Sequence, residues 1–211
     1  MKQYIAEFLG TFALVFCGTG AIIINHQSNN TITHVGVAIT FGLIVMAMIY
    51  TFGEKSGAHL NPAVTLAFVV HQVFPLNKLM PYIISQIAGA VAASGVLHLL
   101  FPNSSTLGET IPSGTAVQSL ILEFILTFFL MLTIINVAEG GKEKGLFAGI
   151  AIGSVVLLEA MFAGPISGAS MNPARSVGPA IVTGNIDTLW IYIVAPVSGA
   201  LFAILIHRFI K

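Results

Sequence analysis

The tripeptide Asn-Pro-Ala occurs twice in this chain. Each follows a Ser-Gly-Ala triplet within an apolar stretch, and together they comprise Asn61, Pro62, Ala63, Asn172, Pro173 and Ala174. Asparagine is a favoured N-cap and proline is favoured at the first helical position, so each tripeptide predicts the start of a helix. If each asparagine caps its helix through the side-chain oxygen, its amide NH2 is left directed at a lumen as a donor. Because a helix N-terminus carries about half a positive charge, the expected chemistry is hydrogen bonding to neutral acceptors and repulsion of cations.

The elements that position these tripeptides belong to a membrane protein. The 211 residues are 56% hydrophobic and 8% charged, whereas soluble domains contain about 25% charged residues. Apolar stretches long enough to cross a hydrocarbon core lie at residues 4–24, 34–52, 79–101, 117–138, 146–163 and 188–209. The helices predicted at residues 61–70 and 172–181 are too short to span alone, but two of them end to end are long enough.

The residues around the tripeptides supply acceptors and one fixed cation. Arg175 follows the second tripeptide at the position that Val64 occupies after the first. An arginine at membrane depth is costly, so we expect it to line a pore as a filter residue, a structural clamp being the alternative. The unwound approach to each helix tolerates that depth only if its carbonyls face water or protein. The predicted pore carbonyls are those of Gly57, Ala58, His59, Gly168, Ala169 and Ser170.

The chain contains an internal repeat. Residues 1–105 and 117–211 match in three ordered blocks, offset by 116, 111 and 110 positions, and residues 106–116 connect the two copies in an external loop. Each copy holds three spans, so the second copy must enter the membrane from the opposite side. The predicted fold is an all-α membrane protein with six transmembrane helices and two re-entrant half-helices in an inverted 3+3 repeat.

The basic residues predict the orientation of the spans. Only Arg175 lies in an odd-numbered connection, whereas the termini and even-numbered connections carry Lys2, Lys55, Lys78, Lys142, Lys144, Arg208 and Lys211. By the positive-inside rule, both termini are expected to be cytoplasmic in a cell or inner membrane. The first span is expected to stay in the mature protein. There is no basic stripe of the kind that nucleic acid requires, so nucleic acid is not expected as a partner. The expected surroundings are the lipid bilayer, as the composition indicates.

Three carboxylates lie within the apolar spans. Glu7 and Glu123 occupy equivalent places in the two copies, and we expect them to accept hydrogen bonds from the irregular loops. In a proton-coupled transporter, the alternative class, they would relay protons. Glu159 has no counterpart and is expected to face another helix or subunit, with a lumenal or gating role as the alternative.

No cofactor or catalytic constellation is predicted. The six histidines show no ligand spacing on any one helix, so no metal site is expected. His59 is expected to pack in its loop, a pH-sensing ring being the alternative. An intramembrane enzyme would need a nucleophile with a base, and no motif supplies that pair.

The paired motifs at residues 56–65 and 167–176 resemble those of the aquaporin and glycerol-facilitator family, also called major intrinsic proteins, over essentially the whole chain. The resemblance implies a right-handed six-helix bundle, a pore in each protomer and a homotetramer. Members of the family narrow at an aromatic/arginine filter. The positions that match this filter here are Phe41, Ala160, Ala169 and Arg175.

This filter departs from two well-known patterns. Strict water channels carry histidine at the position of Ala160, while glycerol facilitators usually carry an aromatic at Ala169 and aspartate at Ser176. The stretches 164–167, 175–180 and 189–193 most resemble nodulin-like intrinsic proteins and their bacterial relatives. That group implies a passive channel for water, glycerol, urea and metalloid hydroxides that excludes protons and ions. A strict water channel is the alternative.

Overall fold

The computed structural model describes residues 1–138 and 146–210, and these are helical apart from their connections. The eight α-helices in these two ranges are α1 (Lys2–Gln27), α2 (Thr33–Ser56), α3 (Pro62–Val70), α4 (Leu79–Leu100), α5 (Ala116–Ala138), α6 (Ala148–Ser167), α7 (Pro173–Thr183) and α8 (Ile191–Ile210). A short 3-10 helix, Leu76–Lys78, leads into α4. The predicted turn at residues 139–144, including Lys142 and Lys144, and the terminal Lys211 lie outside the described residues.

Six of the described helices are long and apolar enough to cross a membrane, namely α1, α2, α4 with its 3-10 turn, α5, α6 and α8. The other two, α3 and α7, have 9 and 11 residues and correspond to the predicted half-helices. At 1.5 Å per residue neither can span about 30 Å of hydrocarbon. The predicted fold class is confirmed, and the chain is an integral membrane protein.

Two spans end four residues beyond the predicted apolar stretches. The α2 helix continues to Ser56 instead of residue 52, and α6 continues through Pro165 to Ser167 instead of residue 163. Hydropathy falls over residues 53–56 and 164–167, but backbone hydrogen bonding continues through Gly53 and Gly164 as far as Gly57 and Gly168. Gly57 and Gly168 then adopt φ of 87° and 85°, which ends each helix in the left-handed conformation that glycine favours.

The half-helix α7 also ends later than predicted, by two residues, at Thr183. Gly184 follows as the C-cap with a φ of 81°, and the helix accommodates Pro179 in its interior. The first half-helix, α3, ends at Val70 as predicted, with His71 as its C-cap.

Glycines allow the helices to approach closely at equivalent places in the two halves. A Cβ built on Gly89 of α4 would overlap the Phe8 carbonyl oxygen of α1, and one on Gly199 of α8 would overlap that of Phe124 in α5. Between α2 and α6, a Cβ on Gly42 would lie 2.6 Å from the Gly153 carbonyl oxygen. Glycine at these positions lets neighbouring backbones touch, as small residues do in membrane helix packing. The α1–α4, α5–α8 and α2–α6 pairs thereby enclose the two half-helices.

Candidate functional site

The half-helices α3 and α7 meet at their N-termini in the centre of the bundle. Asn61 caps α3 by accepting a hydrogen bond from Ala63 N at 2.9 Å, and Asn172 caps α7 by accepting one from Ala174 N at 3.0 Å. Each cap has extended backbone geometry and is followed by proline at the first helical position. The two positive helix ends therefore face one region of the protein.

The asparagine amides are also bonded across the gap between the helices. Asn61 Nδ2 donates to the Met171 carbonyl oxygen and Asn172 Nδ2 donates to the Leu60 carbonyl oxygen, both at 2.8 Å. The sequence-based expectation of an amide NH2 directed at the lumen did not include these bonds between the loops. An amide NH2 has two donors, so at most one on each asparagine remains for a solute.

Glu7 holds the loop before α3 from behind. Its carboxylate accepts hydrogen bonds from His59 N at 3.0 Å, from Leu60 N at 2.7 Å and from the Ser56 hydroxyl at 2.7 Å. Ser56 Oγ in turn accepts from Ala58 N at 3.1 Å. These donors satisfy the buried carboxylate and fix three successive N–H groups of the loop.

Glu123 holds the loop before α7 in the same way. It accepts from Ser170 N at 2.9 Å, from Met171 N at 2.8 Å and from the Ser167 hydroxyl at 2.7 Å. Ser167 Oγ accepts from Ala169 N at 3.2 Å. Glu7 and Glu123 thus make the same set of contacts, one in each half of the chain.

These hydrogen bonds determine where the loop carbonyls point. In a planar trans peptide the C=O and the N–H point in opposite directions. The carbonyls of Gly57, Ala58 and His59 share their peptide groups with the N–H groups of the next residues, which donate to Ser56 and Glu7. These three carbonyls therefore point away from Ser56 and Glu7. The same reasoning applies to Gly168, Ala169 and Ser170 on the other side.

A cavity of about 410 Å³ runs along these carbonyls and between the spanning helices. Five of the six residues with predicted pore carbonyls line it, as do both asparagines; Gly168 is not among them. A Cβ on Gly168 would instead lie 2.9 Å from Thr110. The remaining wall is largely apolar and includes Leu14, Val45, Ile49, Phe68, Leu130, Ile134, Ile152 and Val156.

The four residues matched to the filter line this same cavity. Phe41, Ala160, Ala169 and Arg175 come from α2, α6, the loop before α7 and α7 itself. The guanidinium carbon of Arg175 lies 5.2 Å from the centre of the Phe41 ring, within cation–π range. Arg175 is 1% exposed.

The guanidinium of Arg175 keeps its donors available. Its Nε, Nη1 and Nη2 atoms are buried and have no hydrogen-bond partner within the described ranges. A buried cation without hydrogen bonds is unfavourable unless another molecule supplies acceptors. The cavity at Arg175 can therefore receive water or a neutral oxygen-bearing solute.

The other titratable candidates lie differently with respect to the cavity. The His59 ring packs at centroid distances of 4.8, 4.8 and 5.2 Å from Phe68, Phe74 and Tyr82, and its Nδ1 lies 3.2 Å from Thr65 Oγ1. Glu159 is not among the cavity-lining residues. No cluster of three or more metal-ligating side chains occurs in the described part of the chain.

Several residues that support the site were not predicted from the sequence. Gly18 of α1 accommodates the Phe41 ring, because a Cβ at Gly18 would overlap ring atoms. Gln86 donates to Glu7 at 2.7 Å and to Thr65 at 3.0 Å, and Thr110 donates to Ser176 at 2.8 Å. Gln86 is a polar residue inside an apolar span, which was a usable signal. Thr110 lies in a polar loop and gave none.

Comparison with known proteins agrees with this geometry. The model of the Major intrinsic protein family matches residues 1–207. Nodulin-26 of Glycine max is 44% identical over 212 residues, covering 100% of this chain and 78% of that protein. Aquaporin NIP1-1 of Zea mays is 50% identical over 201 residues, covering 95% and 71%.

A solved structure shows the same fold. The X-ray structure of the aquaglyceroporin from Plasmodium falciparum matches with a TM-score of 0.89 at 27% identity, covering 98% of this chain and 94% of that one. Family, relatives and structure agree over nearly the full length of the chain. The chain therefore belongs to the major intrinsic protein family, that of the aquaporins and glycerol facilitators, whose members are channels and not enzymes.

Proposed function

We propose that this protein is a passive channel that conducts water and small uncharged solutes and excludes protons and ions. One observation carries the proposal: two half-helix N-termini and a buried arginine with unpaired donors face a single cavity. A cation there meets two positive helix ends and a guanidinium. A neutral solute meets donors from Asn61, Asn172 and Arg175 and a line of carbonyl acceptors.

Within this proposal, the solutes include glycerol, urea and metalloid hydroxides. The small side chains of Ala160 and Ala169 leave the constriction wide. The apolar wall suits the carbon face of a polyol, and Arg175 supplies donors to the hydroxyls of the polyol. The names of the relatives, aquaporin and aquaglyceroporin, support water and glycerol respectively. A strict water channel is the competing function, since it would share Phe41 and Arg175.

The roles of individual residues form part of the proposal. Phe41, Ala160, Ala169 and Arg175 form the selectivity filter, while Glu7 and Glu123 support the loops and do not relay protons. Both carboxylates already accept several loop hydrogen bonds. A proton relay would have to break these bonds in every cycle, which disfavours a proton-coupled transporter.

Three features of organisation are also proposed. Residues 1–105 and 117–211 are the two copies of an inverted repeat, which the matching contacts of Glu7 and Glu123 support. Both termini are cytoplasmic in a cell or inner membrane, which the distribution of basic residues supports. The protein is a homotetramer with one pore in each subunit, as in the family. The molecular mass of the purified assembly in detergent tests whether four subunits associate.

A permeability panel tests the proposed function. Purified protein in proteoliposomes is exposed to gradients of water, glycerol, urea, boric acid and arsenite, with a pH-sensitive dye reporting protons. We expect water and glycerol fluxes above those of empty vesicles and no added proton leak. Water flux alone would favour the strict water channel, and flux that follows a proton gradient would favour the transporter.

A further inference from the structure

The loop that connects α4 and α5 reaches the constriction through a buried hydroxyl. Thr110 lies in this loop, is 7% exposed, and donates from Oγ1 to Ser176 Oγ at 2.8 Å. Ser176 directly follows Arg175 in α7. Neither Thr110 nor Ser176 lines the cavity, so any effect of this contact on conduction must act through other residues.

The Thr110 contact is the first of three connected hydrogen bonds. Ser176 Oγ lies 2.6 Å from Ser170 Oγ, and Ser170 Oγ donates to the Asn172 carbonyl oxygen at 2.9 Å. A hydroxyl carries one proton. The Ser170 proton is directed at Asn172, so Ser176 must donate to Ser170, and the Ser176 oxygen is then free to accept from Thr110. All three hydroxyls are satisfied in one direction, from Thr110 to Asn172.

This chain of hydrogen bonds ends on residues that shape the pore. Asn172 caps α7 and is bonded across to Leu60, while Ser170 lies next to Ala169 in the cavity wall. A change at Thr110 would therefore be transmitted to the loop that carries Ala169 and to the first turn of α7, where Arg175 lies.

The first half of the chain makes the corresponding contact differently. Thr65 has the same place after Asn61 as Ser176 has after Asn172, and it donates to the Asn61 carbonyl oxygen at 2.9 Å. Its oxygen accepts from Gln86, which belongs to the spanning helix α4. The position of α8 that matches Gln86 is Pro196, which has no side-chain donor. In the second half a loop residue, Thr110, donates to Ser176, whereas in the first half a helix residue, Gln86, donates to Thr65.

We propose that Thr110 is a positioning residue for the constriction: through Ser176 and Ser170 it fixes the wall at Ala169 and the first turn of α7, and thereby sets selectivity between water and glycerol. The loop holds Thr110 firmly in place for this role. Leu107 is fully buried, and a Cβ on Gly108 would lie 2.9 Å from the Thr19 carbonyl oxygen of α1. The inference rests on the proposed channel function and extends it to a residue outside the pore.

The test is the glycerol-to-water permeability ratio of Thr110 variants in proteoliposomes. A residue that only stabilises the fold would change the number of active channels and scale both fluxes alike, leaving the ratio unchanged. Thr110→Val removes the hydroxyl at nearly constant shape, and Thr110→Ser keeps it. Ser113→Ala is the matched control, because this hydroxyl lies in the same loop but donates to the Ile166 carbonyl oxygen, outside the chain of hydroxyls.

We expect Thr110→Val to change the ratio by about threefold or more, the size that corresponds to loss of one buried hydrogen bond. Thr110→Ser should restore the wild-type ratio, and Ser113→Ala should keep it. If Thr110→Val does not insert into vesicles, Ser176→Ala is measured in its place and must shift the ratio. An unchanged ratio in the variant measured, or an equal shift in Ser113→Ala, overturns the inference while the channel function stands. A wild-type protein that conducts neither water nor glycerol refutes the proposed function, and this inference with it.

Discussion

Asn61 and Asn172 are bonded reciprocally, each donating its side-chain amide to the carbonyl oxygen of the residue that precedes the other, at 2.8 Å in both directions. Each amide therefore caps its own half-helix and fastens the opposite loop. This pair joins the two halves of the chain at the point where their helix N-termini meet. Neither half can complete the site without the other.

Replacing either asparagine should remove both the cap of its own half-helix and the hydrogen bond to the opposite loop. Asn61→Ala removes the cap of α3, which costs about 1 kcal/mol, and leaves the Met171 carbonyl without its donor. We expect a lower unfolding temperature and reduced water flux per channel. Asn136→Ala is the control, because Asn136 is exposed and donates locally to the Leu132 carbonyl oxygen, away from the two half-helices. Wild-type stability and flux in Asn61→Ala would contradict the assigned role.

Arg175 should exclude cations. Removing its charge in Arg175→Ala is expected to raise proton leak by about tenfold or more, because a unit charge several ångströms away contributes more than about 1.4 kcal/mol at an effective dielectric constant of 20. The leak is measured with a pH-sensitive dye in proteoliposomes under an imposed potential. Arg175→Lys keeps the charge and is expected to keep the leak low. Equal proton leak in wild type and Arg175→Ala would show that the barrier lies elsewhere.

The width of the constriction should depend on the side chain at position 160. Glycerol flux is expected to fall along the series Ala160, Ala160→Val and Ala160→His, because each step adds volume beside Arg175. Water flux should change less, since water needs less width. The ratio of the two fluxes measured by stopped-flow light scattering checks this order. A glycerol flux that is unaffected by histidine would place the narrowest point elsewhere.

Gly18 is expected to control the Phe41 ring. Gly18→Ala puts a Cβ where ring atoms lie, so the ring must move and flux should change. Gly95→Ala is a matched control on α4, since a Cβ there meets nothing within 4 Å. Replacing glycine by alanine within a helix otherwise stabilises it by up to about 1 kcal/mol. Thermal unfolding and water flux are measured for both variants. We expect Gly95→Ala to be more stable than wild type with unchanged water flux, and Gly18→Ala not to show this combination.

The buried carboxylates should support structure and not proton transfer. Glu7→Gln replaces one acceptor oxygen by an NH2 that faces loop N–H donors, and each lost buried hydrogen bond costs about 1–3 kcal/mol. We expect a lower unfolding temperature, with the remaining flux unaffected by a pH gradient. Glu159→Gln should retain wild-type flux and pH independence, because Glu159 does not line the cavity. Flux in wild type that follows the pH gradient and is abolished in Glu7→Gln would favour the transporter.

Much of the fold was predictable because the bilayer restricts backbone structure severely. The six spans follow from apolar length, and both half-helix starts follow from Asn-Pro. The ends of α2 and α6 were misplaced, because helical hydrogen bonding continues past the apolar stretches as far as Gly57 and Gly168. Hydropathy reports the apolar length of a helix, whereas these two ends are set by glycines that adopt the left-handed conformation.

The site was predictable where the motif names its residues and less so where contacts span the chain. The loop carbonyls before each half-helix could be predicted as acceptors, because the loops are not helical and leave these carbonyls without helical partners. The cross-loop bonds of Asn61 and Asn172 were missed, because they join residues about 110 positions apart. The place of Thr110 also needs three-dimensional structure, since a threonine in a polar loop carries no hydrophobic or helical periodicity.

Glycerol flux through the purified wild-type protein distinguishes a passive solute channel from a strict water channel and from a proton-coupled transporter. Proteoliposomes are placed in an outward or inward glycerol gradient, and the initial rate of volume change is measured over a range of gradients with and without a pH difference. For a passive solute channel we expect rates above those of empty vesicles that rise linearly with the gradient, are equal in both directions and do not depend on the pH difference. Rates equal to those of empty vesicles, or rates that saturate and follow the proton gradient, would contradict it.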